Sequence, residues 1–440
     1  MASLPPSLSS LLFLTLALIL ISISPSLSTP RQPLDDHQDQ QMKTGFKITL
    51  NHIDSGGNFT NSERLYRAVK RSNRRLQMFL TAKHPKLKTT VYAPAGEAEY
   101  LMNFSIGTPP KSYYGTMDTG SDLIWTQCRP CLECFSQPDP IFDPKKSSSF
   151  SNVSCSNNLC QVLPKSQCNA YNGCVYLYDY GDGSFTAGYL ATETFTFKKV
   201  SVPNVAFGCG IFQFGPESGD GLVGLGRGPL SLVSQLGEPT FSYCLTSWLG
   251  SKHSTLLIGS HASVNGKIKT TPLIQNPLMP TYYYLSLEGI TIGSTRLPVN
   301  KTTFALNADG SGGLIIDSGT PVTRLAESAY TLVKEVFISQ VKLPQFNGRN
   351  SFDLDLCFKL PSDPSDRVEI PPLVFHFMDA DLDLPTENYM IFDSGIMCLL
   401  MLGSGDTSST FGSIQQQNIL VVYDIYKEIL SFIPTECDKF

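Results

Sequence analysis

Along most of this chain apolar residues come in short, strand-type runs, each closed by turn-forming residues. Tyr100-Leu101-Met102-Asn103-Phe104-Ser105-Ile106 stops at Gly107-Thr108-Pro109-Pro110, and Ile419-Leu420-Val421-Val422-Tyr423-Asp424 is a second such run. Repeated from about Thr89 onward, the pattern predicts many short strands joined by turns. Helical spacing is scarcer. Glu327 to Gln340 groups Leu332, Val333, Val336 and Phe337 on one face, and the basic stretch from Glu63 to Leu76 is also spaced for a helix. Leu11 to Ile21 differs again: eleven mostly apolar residues, too short to span a bilayer, followed by Ser22, Ser24, Pro25, Ser26 and Ser28. That order predicts a secretory signal over residues 1–28, although no Lys or Arg precedes it. No other stretch is long and apolar enough to cross a membrane, and Glu436 to Phe440 forms no lipid-anchor tail. No membrane anchor is expected.

Composition narrows the class. At 440 residues the chain is long for a single core, so two domains are expected. Hydrophobic residues make up 41% and charged residues 16%, the balance of a globular protein, while 34 glycines and 30 prolines favour a β-rich fold with many turns. Charge is unevenly placed. Lys43 to Lys88 holds eleven Lys/Arg and two acidic residues, net +9, whereas Thr89 to the end holds twenty-one and thirty-three, net −12. A basic arm of this kind can bind nucleic acid. Between a signal peptide and an acidic body it reads instead as a pro-segment over residues 29–88, held by charge across an acidic cleft and cut between Thr81 and Ala95. No nucleic-acid partner is expected.

All twelve cysteines follow residue 127. The dense group from Cys128 to Cys174 includes CxxC spacing that suits zinc, but an even count behind a signal peptide predicts six disulfides and no metal. The connectivity is open at this point. Sequons at Asn103, Asn152 and Asn300 permit N-glycosylation, as does Asn58 in the basic segment.

An internal repeat points to the chemistry. Met117-Asp118-Thr119-Gly120-Ser121 is echoed by Ile316-Asp317-Ser318-Gly319-Thr320, and Leu222-Val223-Gly224 and Thr410-Phe411-Gly412 end 106 and 95 residues after the respective aspartates. Two similar lobes, each contributing one Asp loop, is the simplest interpretation. Asp supplies a carboxylate, Gly permits a tight turn and close backbone approach, and the hydroxyls hydrogen-bond the acid and the partner loop. Two apposed carboxyls resist double ionisation, so one serves as general base while the other holds a proton.

On these motifs the chain resembles the pepsin-like aspartic proteases, most closely the nepenthesin-type branch of plants, from about Tyr92 to Cys437. The resemblance implies a mostly β, bilobal pepsin-like fold with a deep cleft between two related lobes, residues 89–273 and 274–440. It implies a monomeric, secreted endopeptidase, extracellular or vacuolar, that cuts proteins in acid without a cofactor. Asp118 and Asp317 would be catalytic. Ser121 and Thr320 would bond the outer carboxylate oxygens, and Thr119 and Ser318 would brace the loops beside Gly120 and Gly319. Tyr180-Gly181-Asp182-Gly183-Ser184 matches the flap over the substrate, with Trp125 bonding Tyr180. The implied disulfides are Cys128–Cys131, Cys134–Cys209, Cys155–Cys174, Cys160–Cys168, Cys244–Cys437 and Cys357–Cys398. The saposin-like insert of typical plant members is absent. Pro321 departs from the family's usual Ser or Thr and offers substrate neither a hydroxyl nor an amide hydrogen. The competing reading is a catalytically silent binding protein on the same fold, like xylanase-inhibitor relatives. The intact Asp loops and flap tyrosine argue against it.

Overall fold

The computed structural model describes residues 45–83, 100–180, 183–215, 219–250, 252–259, 267–300, 302–348, 353–363 and 367–440, with backbone alone over 73–83. The expected signal region, the ends of the basic segment with most of its expected cleavage stretch, and the flap residues Gly181 and Asp182 lie outside the described residues.

A continuous antiparallel sheet joins the two halves of the sequence. Its order is Lys269–Ile274, Ile429–Pro434, Ile419–Asp424, Thr240–Cys244, Ser254–Ile258, Phe46–His52 and Tyr100–Ile106. Phe46–His52 belongs to the basic segment and fills the place between Ser254–Ile258 and Tyr100–Ile106. Strict alternation puts Phe46, Ile48, Leu50 and His52 on one buried face.

Each half then repeats one motif, which explains the sequence echo. Lys111–Asp118 runs parallel to Gly221–Gly224, and Trp125–Gln127 lies antiparallel to Gly221–Gly224 and parallel to Val200–Phe214. In the second half Leu314–Ile316 runs parallel to Ser409–Phe411, and Thr323–Leu325 pairs antiparallel to Ser409–Phe411 and parallel to Met401–Gly403. In both, the strand that leads into Asp passes beside the one that ends at, or one residue before, the downstream glycine. The fold is the bilobal, mostly β pepsin-like one.

The helix at Glu327–Gln340 forms, with a different inward face from the one expected. Ala329, Tyr330, Val333 and Phe337 are buried, while Leu332 and Val336 flank them half-exposed. The basic stretch is helical over Asn61–Lys83. Its start is a reciprocal cap: Thr60 N donates to Glu63 Oε2 (2.8 Å), and Glu63 N donates to Thr60 Oγ1 (3.2 Å). Leu65, Ala68, Val69 and Ser72 form its buried stripe, the first three packed with Trp248, Val322, Leu400 and Ile414.

Among the described residues the basic segment's two ion pairs are internal: Arg67 and Arg71 both reach the fully buried Asp54, at 2.6 and 3.0 Å. Arg64 donates to the Trp248 carbonyl (3.2 Å), and Ser72 Oγ donates to the Val322 carbonyl (2.8 Å). Among the described residues, strand pairing and apolar packing join the segment to the rest of the chain. Full burial of Leu65 and Val69 is worth about 1.5–3 kcal/mol each.

Four of the expected disulfides are replaced. Cys128–Cys131 and Cys134–Cys209 give way to Cys128–Cys209 and Cys131–Cys134. Strand register is the reason: Thr126 pairs with Cys209, and Cys128 N donates to the Gly210 carbonyl, which sets Cys128 beside Cys209. Cys155–Cys174 and Cys160–Cys168 give way to Cys155–Cys168 and Cys160–Cys174. Here burial differs between the two bridges. Cys160 and Cys174 are both buried in one hydrophobic cluster, while Cys155 packs half-buried against its edge and meets Cys168, which is exposed on the hairpin. Cys244 is bonded to Cys437 and Cys357 to Cys398.

Candidate active site

Asp118 stands at the end of its strand with Leu225 N donating to its carbonyl (2.8 Å), and Asp317 N donates to the Phe411 carbonyl (3.1 Å). The two loops are dressed alike. Gly120 N (3.0 Å) and Ser121 Oγ (2.6 Å) donate to opposite oxygens of Asp118, and Gly319 N (2.8 Å) and Thr320 Oγ1 (2.5 Å) do the same for Asp317. Both carboxyls are buried.

The loops are locked together. Thr119 N donates to Ser318 Oγ (3.1 Å), Ser318 N donates to Thr119 Oγ1 (2.9 Å), and Ser318 Oγ donates to the Met117 carbonyl (3.2 Å). Glycine at 120 is a packing requirement: a Cβ there would lie 2.9 Å from Asp317 Oδ1. The repeat therefore brings the two aspartate loops into contact.

Above this pair, Cys174–Asp179 and Phe185–Phe197 form an antiparallel hairpin, closed by Tyr180 N donating to the Ser184 carbonyl (2.8 Å). Trp125 Nε1 donates to Tyr180 Oη at 2.7 Å. Burial holds the Tyr180 hydroxyl far above its usual pKa, with neighbouring Tyr178 and Asp118 adding to the effect, so it stays neutral. Pro321 uses its carbonyl to accept from Ile414 N (3.0 Å), and so fastens the second loop to the chain after Gly412.

Several supporting residues were not legible in the sequence. Asp122 follows Ser121 and is held by Thr281 Oγ1 (2.7 Å) and Gly228 N (2.8 Å), while its own N donates to Tyr178 Oη (3.3 Å). Burial pushes the Asp122 carboxyl above its usual pKa, Thr281 and Gly228 oppose this, and the charge of Asp118 adds to it. Gln415, Gln416 and Gln417 are fully or almost fully buried. Gln416 Nε2 donates to the Phe411 carbonyl (2.8 Å), and Gln415 Oε1 accepts from Thr323 N (2.9 Å). Three consecutive glutamines beginning three residues after the second repeat's Gly412 were the available signal. All twelve cysteines are bridged, so none offers the thiolate that a zinc site would need.

Residues 100–260 match the family model described as "Xylanase inhibitor N-terminal" and residues 282–434 that described as "Xylanase inhibitor C-terminal". The chain is also 50% identical over 431 residues to aspartic proteinase nepenthesin-1 of Nepenthes gracilis, covering 96% of this chain and 97% of the relative. It belongs to the nepenthesin-type aspartic proteinases. Nepenthesin-2 of the same plant is 47% identical with the same coverage of both chains. Among solved structures the proteinase resembles edgp (TM-score 0.64, 19% identity, 77% of this chain and 92% of that one). It also resembles soybean basic 7S globulin (TM-score 0.62, 21% identity, 78% and 96%). These two likenesses speak to the fold alone. As a nepenthesin-type proteinase the protein is an aspartic-type endopeptidase. No described helix is long and apolar enough to cross a membrane.

Proposed function

We propose that this proteinase is a secreted zymogen whose Asp118 and Asp317 together hydrolyse peptide bonds of proteins in acid. The observation that carries the reading is the contact between the two loops, in which a methyl group on Gly120 would touch the Asp317 carboxylate. Carboxyls this close resist double ionisation, the arrangement for which aspartic proteases are the standard case. A water between them passes one proton to the ionised carboxylate as its oxygen bonds to the substrate's carbonyl carbon. The protonated carboxyl gives its proton to the carbonyl oxygen. In the second step the first carboxyl protonates the amide nitrogen and the C–N bond breaks. One hydroxyl of the tetrahedral carbon returns its proton to the second carboxyl, which restores the starting state.

Ser121, Thr320 and the Gly120 and Gly319 amides hold the carboxyls in place, and Thr119 with Ser318 fixes their separation. Tyr180 closes over substrate from a fixed position because Trp125 holds its hydroxyl. Burial that raises the carboxyls of Asp122 and Asp220 favours their neutral forms, which suits a protein that works in acid. The strand Phe46–His52 and the helix from Asn61 form the pro-segment, to be removed before the mature enzyme acts. The leader sends the protein into the secretory route, to the exterior or a vacuole.

The family models bear an inhibitor's name, so a silent binding protein is the rival. The complete set of hydroxyl and amide donors around both carboxyls favours the enzyme. Acidified protein incubated with a denatured protein substrate from about pH 3 to pH 8 tests this. Digestion confined to the acid side and stopped by a statine-type inhibitor is expected, and no digestion at any pH leaves the binding protein.

A further inference from the structure

A cavity of about 320 Å³ opens on the first half of the molecule, at the base of the Cys174–Asp179 and Phe185–Phe197 hairpin, and Asn152, Asn169, Tyr171, Gly173 and Tyr189 line it with Cys174 and Leu190. Its size is that of small-ligand sites, roughly 300–1,000 Å³. Its exposed lining is amide and aromatic, beside the buried Cys174 and Leu190, without a charged side chain among its lining residues. That is the chemistry of a sugar site. Aromatic faces stack on the C–H face of a pyranose ring, and carboxamides bond its polar edge.

Asn152 at the rim is also the acceptor of the sequon Asn152-Val153-Ser154. It lies on the two-residue strand Ser151–Asn152, opposite Ala191, and is exposed. Val153 is buried, so alternation sends Asn152 and Ser154 outward together, as a modified sequon needs.

The opposite wall is built rigidly. Asn169 Oδ1 accepts from Tyr171 N (2.9 Å) and Gly173 N (2.8 Å), which leaves its Nδ2 to donate elsewhere. Asn169 N donates to the Gly173 carbonyl and Asn172 N to the Asn169 carbonyl, closing the turn. This turn holds Tyr171 at 93% exposure, with Tyr189 at 37% across the cavity.

We propose that the cavity seats the first N-acetylglucosamine of a glycan carried by Asn152. In the modification, Nδ2 of Asn152 bonds to C1 of the sugar on a lipid-diphosphate-linked oligosaccharide donor. The C1–O bond breaks, and the diphosphate leaves with its electron pair and takes up the displaced amide proton. The tether explains the choice of occupant. A shallow site binds a free sugar weakly, but one delivered at the rim meets Tyr171 and Asn169 at high effective concentration. The donor Asn169 Nδ2 suits the sugar's acetamide oxygen.

The inference rests on entry into the secretory route, so the test supplies a host leader in mammalian cells and uses Asn300 as the internal reference. Glycopeptide mass spectrometry reads occupancy at both sites. Release of each glycan by peptide N-glycosidase is then timed on folded and on denatured protein. The seat predicts occupancy at Asn152 and release from folded protein about tenfold slower than at Asn300, the change that a contact of about 1.4 kcal/mol gives. The exposed substitution Tyr171→Ala should abolish the difference, and denaturation should equalise the two sites in every variant. An unmodified Asn152 in secreted protein overturns the inference, whether or not Asn300 is modified. Equal release from folded protein, or slow release indifferent to Tyr171→Ala, overturns it too. Secretion under the chain's own leader is scored separately and decides only the secretory reading.

Discussion

Asp220→Asn should make this proteinase more stable at neutral pH and leave it unchanged in acid. Asp220 precedes the strand Gly221–Gly224 and is 1% exposed. Its Oδ2 accepts from Tyr114 N (2.7 Å), its own N donates to the Tyr114 carbonyl (2.7 Å), and its carbonyl accepts from Thr126 Oγ1 (2.8 Å). Burial raises its carboxyl from 3.8 to about 6; the Tyr114 amide opposes this and the facing Asp139 charge adds to it. A carboxyl whose pKa is raised on folding favours the native state below the unfolded value. That contribution is lost as pH climbs through the folded value, here between about pH 4 and pH 6. Two pH units correspond to about 3 kcal/mol. Asparagine mimics the protonated acid, accepting from Tyr114 N while donating toward Asp139, and does not titrate. Urea midpoints followed by tryptophan fluorescence in an Asp118→Asn background, which prevents self-digestion, measure the effect. Wild type and variant should coincide near pH 4 and separate by up to about 3 kcal/mol by pH 7, with the variant more stable. A constant gap, or a wild type that gains on the variant as pH rises, refutes the reasoning.

Other consequences are simpler to check. Trp125→Phe removes the donor to Tyr180 Oη and should lower kcat/KM several-fold, about 1 kcal/mol in the transition state, with little change in thermal midpoint. Leu65→Ala should weaken the seat of the basic helix by about 2–5 kcal/mol, read as faster conversion of the full-length chain on mild acidification. Peptide mapping of unreduced protein should recover Cys128 linked to Cys209 and Cys160 linked to Cys174. Recovery of Cys128 linked to Cys131 would contradict the register argument.

The parts legible in the sequence were those set by local chemistry. Asp-Thr-Gly-Ser and Asp-Ser-Gly-Thr announce a carboxylate, a tight turn and a hydroxyl partner within four residues, and the structure puts each of those bonds in one loop. What needed three dimensions was not legible. Cys128 finds Cys209 only because two strands eighty-one residues apart run parallel in one register. Asp122 meets Thr281 across a separation of 159 residues. The net +9 of the basic segment drew attention to charge, and the alternation of Phe46, Ile48 and Leu50 within it was a second clue. It marks a strand, and that strand fills the sheet between Ser254–Ile258 and Tyr100–Ile106.

The central claim is that two loops from two similar halves make one catalytic pair. It is tested most directly by measuring peptide hydrolysis by mature protein carrying Asp118→Asn or Asp317→Asn alone. Asparagine keeps the shape and the donors from Gly120, Ser121, Gly319 and Thr320 in reach, so circular dichroism and thermal midpoint should stay near wild type. Each single substitution should remove the activity almost entirely, since neither carboxyl can act as both base and acid in one step. A folded Asp317→Asn protein that retains near-wild-type turnover would contradict the account.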